Sequence, residues 1–278
     1  MVTRLHFSYY RMVWFIGELS HPSPVRLDKP AIHFISIREP CTDGGENMKR
    51  IMNWLGLAAL PVGLFIISMP LEAGRPLATD DIGIVSPGKS QLESGYLYNS
   101  NRDKTRDKDA AFTLSHGLTE KLDFELTVPR AMEPDNELEP AQLCFKYLLI
   151  KETESRPGAA FTFTFSPDDS SYLLNGICTK CLGPCTVHLN LVYQTSGVAG
   201  GKGTTTYSTA LELPVIDRLT LIGEFVSASV WEDKNPMSWL IGGVWNISET
   251  TALDVGIGFG CTSNSPDHTI TTGLTYNF

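Results

Sequence analysis

The chain ends on the stretch T-I-T-T-G-L-T-Y-N-F, residues 269–278. Side chains alternate between the two faces of an extended strand, so this segment has one mainly apolar face and one small or polar face. The first face carries Ile270, Thr272, Leu274, Tyr276 and Phe278, and the second carries Thr271, Gly273, Thr275 and Asn277. The segment is therefore predicted to be a β-strand that finishes on an aromatic residue.

A terminal strand of this kind is unusual for a soluble enzyme and common in barrels of the bacterial outer membrane. Leu274, Tyr276 and Phe278 resemble the signal that the barrel-assembly machinery reads. If this strand closes a membrane barrel, the expected partners are that machinery, outer-membrane lipid and lipopolysaccharide. The expected location is then the outer membrane.

The same alternation recurs along the chain, for example where Leu122 and Phe124 alternate with Asp123 and Glu125. Such spacing suits a sheet with one apolar and one wetter face. We predict about twelve strands, near 89–99, 109–116, 121–129, 140–151, 158–166, 171–180, 185–195, 204–214, 218–232, 237–247, 251–260 and 269–278. The segment 171–180 alternates least clearly, and it decides the strand count, because single-chain bacterial barrels use even numbers.

The predicted connections fall into a long, polar set and a short set that follow one another alternately. The long set is 99–109, 130–139, 166–170, 195–203, 231–236 and 261–268, and the short set is 117–121, 151–157, 181–184, 214–217 and 248–250. Long loops on one rim and tight turns on the other are typical of outer-membrane barrels. The polar face is also rich in Thr, Ser, Gly and Ala, which suits a narrow interior. We therefore predict an all-β fold: a single antiparallel up-and-down transmembrane β-barrel.

The N-terminal part of the chain predicts export. Met48-Lys49-Arg50 precedes an uncharged stretch, 51–71, that closes near Ala73, which is the pattern of a secretory signal. We predict a signal peptide over 48–73 and the barrel over 74–278. Residues 1–47 are interpreted as an over-extended start or an unstructured leader, with translation beginning at Met1 or Met48. A membrane anchor helix is the alternative reading of 51–71, although Pro61 interrupts that run.

Composition excludes some partners and leaves the cysteines open. The formal net charge is −9 and there is no basic stripe, so nucleic acid is not an expected partner. Three of the cysteines form C-x2-C-x3-C, for which a disulfide is more plausible than a metal site in an exported chain, since no fourth ligand is near. Small residues filling the lumen are an equal alternative. We expect no metal and no cofactor, and the sequence leaves open the pairing of Cys144, Cys178, Cys181, Cys185 and Cys261.

Several motifs resemble the outer-membrane barrels named for the meta pathway of phenol degradation, which are described as transporter-like. The resemblance covers about 75–278 and is most specific in residues 75–81, Arg-Pro-Leu-Ala-Thr-Asp-Asp, in Pro87-Gly88-Lys89 and in the closing strand. The cysteine cluster and the stretch 168–180 depart from it. The resemblance implies passive uptake of small, often hydrophobic or aromatic compounds, and it implies no catalytic residues.

The first functional hypothesis is therefore a channel for a small solute, lined by the polar face of the strands. Its ionisable groups are mostly acidic, so an open pore should disfavour anions. Carboxylates in a lumen also commonly form hydrogen-bonded networks that hold a barrel together. The predicted lumen-lining residues are Glu93, Asp123, Glu125, Lys146, His188, Asn190, Glu212, Glu224 and Asp254.

Two other hypotheses come from different classes. A lipid-modifying enzyme would need a serine beside a base, yet Ser115 and His116 are adjacent and point to opposite faces. His188 and Asn190 share a face, but it is the predicted lumen face. We therefore expect no enzymatic activity. A structural or adhesive barrel would instead bind a partner through its charged loops, 102–109 and 133–139.

Overall fold

The computed structural model describes residues 75–134, 136–167, 171–197, 201–229 and 235–278, and the predicted leader and signal peptide lie outside these ranges. No helix in the described part of the chain is long and apolar enough to cross a membrane. The described residues form strands joined by turns and loops. The strands are β1 (Ser90–Ser100), β2 (Arg106–Thr119), β3 (Leu122–Glu133), β4 (Glu137–Leu138), β5 (Gln142–Ile150), β6 (Gly158–Ser166), β7 (Ser171–Leu182), β8 (Cys185–Gln194), β9 (Thr204–Ile216), β10 (Leu219–Ser229), β11 (Met237–Asn246), β12 (Thr251–Gly260) and β13 (His268–Asn277).

The strands form one closed antiparallel ring. Each long strand pairs with its neighbours in the chain, and the short β4 folds back on β3, so that β3 pairs directly with β5. The ring closes because β1 pairs with β2 on one side and with β13 on the other, with Gly95 opposite Gly273 at the β1–β13 seam. A barrel of twelve long strands is therefore confirmed.

The distribution of apolar groups is the reverse of that in a soluble protein. Outward-facing residues such as Phe112 and Ile241 are 57% and 62% exposed, whereas inward-facing Thr113 and Asn190 are buried. A continuous apolar outer surface of this kind is stable against hydrocarbon and not against water. The barrel wall thus has the chemistry of a lipid-facing surface, and its interior is polar.

The strand with the weakest predicted alternation is present and is longer than expected, Ser171–Leu182. Its pattern is unclear in the sequence because apolar Ile177 points inward, where it is 3% exposed, and the small residues Gly176 and Cys178 lie on the outer face. A second difference lies in the predicted loop 130–139. There β3 continues to Glu133, and the two-residue β4 extends the sheet beyond the predicted strand end.

The two rims differ as predicted in the kind of connection they carry. Turns at 120–121, 183–184 and 217–218 join strands on one rim, together with the longer 151–157 and 247–250. At the other rim the described strands end next to 101–105, the connection around β4, 167–170, 195–203, 230–236 and 261–267. We call these the short-turn rim and the long-loop rim. The chain enters β1 at the short-turn rim, where Ser90 N donates to Phe278 O at 2.8 Å.

Candidate functional site

The lumen contains the segment that precedes β1. We call residues 75–89 the plug. Thr79 is 0% exposed, and Leu77, Asp81 and Val85 are also buried, although none of them belongs to the barrel wall. The plug leaves the lumen at the short-turn rim, where Gly88 N donates to Gly117 O at 2.9 Å. The barrel is therefore filled along part of its length by its own chain.

Two wall carboxylates hold the backbone of the plug. Glu224 Oε1 accepts hydrogen bonds from Thr79 N at 2.5 Å and from Thr79 Oγ1 at 2.6 Å, all three atoms lying in buried groups. Asp123 Oδ2 accepts from Val85 N at 2.8 Å. Hydrogen bonds to a charged acceptor are the stronger class, each contributing about 1.5–3 kcal/mol. These acids therefore bind the plug.

A buried charge cluster fixes the middle of the plug. Lys146 Nζ lies 3.1 Å from Asp80 Oδ1 and 3.2 Å from Asp81 Oδ1, and its side chain is 6% exposed. Asn190, with its amide nitrogen donating and its oxygen accepting, bonds the carbonyl and the N–H of Asp80 at 2.8 Å each. The lysine is thus the counter-ion that the two acids of the plug share.

The far end of the plug is held at the seam where the barrel closes. Arg75 Nη2 donates to Thr271 Oγ1 at 2.8 Å and to Thr272 O at 2.9 Å, and Nε lies 3.7 Å from Asp254 Oδ2. The guanidinium fits because two inward-facing glycines leave room for it. A Cβ atom on Gly95 would lie 1.6 Å from Arg75 Nη1, and one on Gly273 would lie 2.3 Å from Nε.

Other small wall residues line the path of the plug. A Cβ atom on Gly158 would lie 2.2 Å from Ile82 Cδ1, so Ile82 occupies the space that a larger residue would fill. Leu77 packs in a small apolar cluster with Ala210 and Ile222. The interior surface is therefore shaped to the plug as well as charged to match it.

The predicted lumen residues all lie on the inner face of the wall. Five of them contact the plug: Asp123, Lys146, Asn190, Glu224 and Asp254. Glu93 is buried, Glu125 is half-buried, and Glu212 lies 3.7 Å from His188 Nε2. Thr179 Oγ1 lies 2.9 Å from Nδ1 of the same histidine.

Sequence reasoning missed the plug itself. Residues 75–81 stood out only as a motif, with no place in the fold. One available signal was a non-alternating segment ahead of the first strand that ends in Pro87-Gly88. A second available signal was the set of glycines at inward positions. Glycines leave the lumen empty, so another part of the chain is needed to fill it.

The cysteines do not form the predicted disulfide. Cys144, Cys178, Cys181, Cys185 and Cys261 are all free thiols. Alternation separates the three cysteines of the cluster, because Cys178 lies on the outer face of β7 and Cys181 is three residues on, at the rim. Cys181 lies opposite Thr186, so the adjacent Cys185 points to the other face. Nor does any group of three or more His, Cys, Asp or Glu side chains in the described ranges have metal-binding geometry.

A serine–histidine pair does occur on the wall, but it joins two neighbouring strands and does not involve Ser115. Ser115 is buried on the inner face, whereas His116 Nδ1 lies 2.9 Å from Ser90 Oγ of the neighbouring strand. A working nucleophile also needs a group that orients the base and donors for an oxyanion. His116 also packs against the ring of Phe124, with centroids 6.0 Å apart, and we assign no catalytic role to the pair.

Comparisons with known proteins agree with the fold. Neither the protein-family models nor the curated proteins give a match to this sequence. Among solved structures, the chain is similar to the KdgM porin, with 11% identity, a TM-score of 0.53, and coverage of 68% of this chain and 99% of that one. It is also similar to the NanC porin, with 9% identity, a TM-score of 0.52, and coverage of 67% and 98%. At these identities the likeness establishes a porin-like barrel fold, and the resemblance to the phenol-pathway barrels remains a prediction.

Proposed function

We propose that this chain is an outer-membrane channel for passive uptake of small, hydrophobic or aromatic solutes, and that the plug closes it at rest. The support is a closed ring with an apolar outer surface, a polar lumen, and a fold similar to that of porins. In this proposal the chain is exported by the signal peptide over 48–73. Leu274, Tyr276 and Phe278 then recruit the barrel-assembly machinery.

The observation that carries the proposal is the way in which the plug is held. Its contacts with Glu224, Asp123 and Lys146 are polar and non-covalent. When water enters the lumen, each polar group can bond water in place of its partner. The net free energy that such a buried contact contributes is therefore much smaller than the direct attraction between the two groups. A plug of this kind can leave its position without unfolding the wall.

The lumen that a displaced plug would expose is acidic. The predicted lumen-lining set contains six carboxylates and one side chain with a permanent positive charge, Lys146. The carboxylates belong to Glu93, Glu125, Glu212, Glu224, Asp123 and Asp254. Carboxylates in a narrow, low-dielectric passage repel anions and attract cations. We therefore propose that the open state passes neutral and cationic solutes in preference to anions.

Single-channel recording of the refolded chain 74–278 tests the proposal, with Glu224→Gln as the probe variant. Glu224→Gln weakens two hydrogen bonds to the plug, so its open probability should rise by about tenfold or more. Glu152→Gln is the matched control, since Glu152 bonds Lys180 at the short-turn rim and loses the same charge. Currents that are the same in all three proteins would refute the gating role of the plug.

The same preparation separates the alternative functions. Steady currents with a weak cation preference support the channel. A silent bilayer together with hydrolysis of added phospholipid would instead favour the lipid-acting enzyme. Silence without hydrolysis, in a barrel that still shows heat-modifiable migration, would favour a structural or adhesive barrel that binds through its long loops.

A further inference from the structure

A cavity lies in the lumen between the plug and the long-loop rim. Its floor is formed by the start of the plug, including Leu77, and its walls by inward positions of the surrounding strands. The empty space measures about 1020 Å³ and includes solvent at its mouth. Part of that volume is open solvent, so the enclosed part suits only a small molecule.

Asp109 is the exceptional group in this cavity. It lines the space and is only 8% exposed, yet neither of its carboxylate oxygens has a hydrogen-bond partner among the described residues. An unpaired carboxylate that is removed from water is costly, and such groups in folded proteins normally have a donor or a counter-ion. The carboxylate is thus a vacant acceptor that faces an open cavity.

The neighbouring charges favour a positive ligand. Asp107 and Glu139 lie close enough to add to the negative potential at Asp109. The two arginines near the cavity are engaged elsewhere. Arg130 donates to Asn136 Oδ1 at 3.1 and 2.9 Å, and Arg75 is held by the seam contacts described above. No basic side chain of the described lining is therefore assigned to Asp109.

Most of the remaining lining surface is apolar, although Asn99, Ser238 and Thr271 also line the space, and this limits the kind of cation. Leu77, Leu97, Ala111, Pro129, Leu240 and Pro266 surround the space. The described residues hold no group of three or more His, Cys, Asp or Glu side chains that could bind a metal ion, so the apolar share of the lining decides the class of ligand. We propose that this cavity binds a small organic cation, an ammonium on an apolar body, with Asp109 as its counter-ion. The proposal rests on the proposed function and names the class of solute that stops above the plug.

Equilibrium dialysis of the detergent-solubilised protein tests this, with protein-free micelles as the background. The probes are benzylammonium, benzyl alcohol and benzoate, which share one ring and differ in charge. Benzylammonium should bind about tenfold or more tightly than benzyl alcohol, because only the ammonium gains a charge-assisted contact with Asp109. Benzoate should bind least, because its carboxylate is repelled by Asp109. This series uses the unmodified protein. Equal binding of the three probes, or tighter binding of benzoate, would overturn the proposal.

Two substitutions then locate the site. Asp109→Asn should remove the preference for benzylammonium, whereas Asp103→Asn, an equal charge change in the exposed 101–105 loop, should leave it intact. An unchanged preference in Asp109→Asn would place the cation elsewhere. Dialysis does not require conductance, so an Asp109-dependent site in a barrel that never conducts would refute the channel and keep the site. A barrel that conducts but binds benzylammonium equally well without Asp109 would refute the site and keep the channel.

Discussion

Replacing Lys146 by methionine should release the plug. Lys146 is the base that faces both Asp80 and Asp81, at 3.1 and 3.2 Å, and the three side chains are 6%, 18% and 7% exposed. Methionine keeps the length and apolar character of the side chain but leaves two carboxylates in the lumen without their cation. Removing one partner of a buried ion pair typically costs about 3–5 kcal/mol.

That cost falls on the closed state alone, because Asp80 and Asp81 regain water when the plug leaves the lumen. About 3–5 kcal/mol corresponds to a rise of roughly two to three and a half decades in the ratio of open to closed barrels. Single-channel recording should show long openings in Lys146→Met where the unmodified protein is mostly closed. Adding Asp80→Asn and Asp81→Asn to the same chain should reverse part of this effect, since the plug of the triple variant no longer carries these two charges into the lumen.

Lys180→Met is the matched control. It removes an ion pair with Glu152 at 2.6 Å in the short-turn rim, where the side chains are 24% and 22% exposed. Such partly exposed pairs contribute little, about 0–1 kcal/mol. If Lys146→Met folds, as judged by heat-modifiable migration, and yet gates like Lys180→Met, the plug is a fixed filler of the lumen and the reasoning fails.

Three further outcomes are expected. Gly95→Val should expel the Arg75 guanidinium from the space between the glycines and increase the single-channel current. An unchanged current would show that Arg75 does not hold the plug in place. Removal of Phe278 should lower the yield of assembled barrel in the outer membrane without preventing refolding in detergent, and equal yields would argue against its role as an assembly signal. A membrane-impermeant maleimide should label Cys261 on intact cells and Cys181 only after permeabilisation, since the two exposed thiols lie at opposite rims. Outer-membrane barrels carry their longer loops on the extracellular side, so the reverse order would contradict that orientation here.

The wall of the barrel was predictable because its physics is local. A strand between lipid and a polar lumen must alternate, and residues 122–128 and 269–278 do so without interruption. β7 was difficult to predict because its two faces differ little in polarity. Ile177 points inward, and Gly176 and Cys178 point outward.

The interior was only half predictable. Alternation identifies Glu224 or Lys146 as inward-facing, but it does not reveal what such a residue meets across the lumen. The bond between Thr79 and Glu224 spans 145 residues, and the one between Arg75 and Thr272 spans 197. Contacts at that separation have no local periodicity, so a single sequence offers no pattern from which to infer them. The same holds for Asp109, whose importance arises from a cavity and not from its own strand.

The position of Arg75 has a consequence for how the ring forms. Its slot exists only when Gly95 of β1 lies opposite Gly273 of β13. A slip of two residues along this pairing would bring Leu97 or Glu93 to the place of Gly95, and either side chain would occupy the slot. Correct registration and docking of the arginine therefore stabilise each other. The segment that precedes β1 thereby selects the correct register in the last step of assembly, because its arginine docks only when the first and last strands are aligned as in this structure.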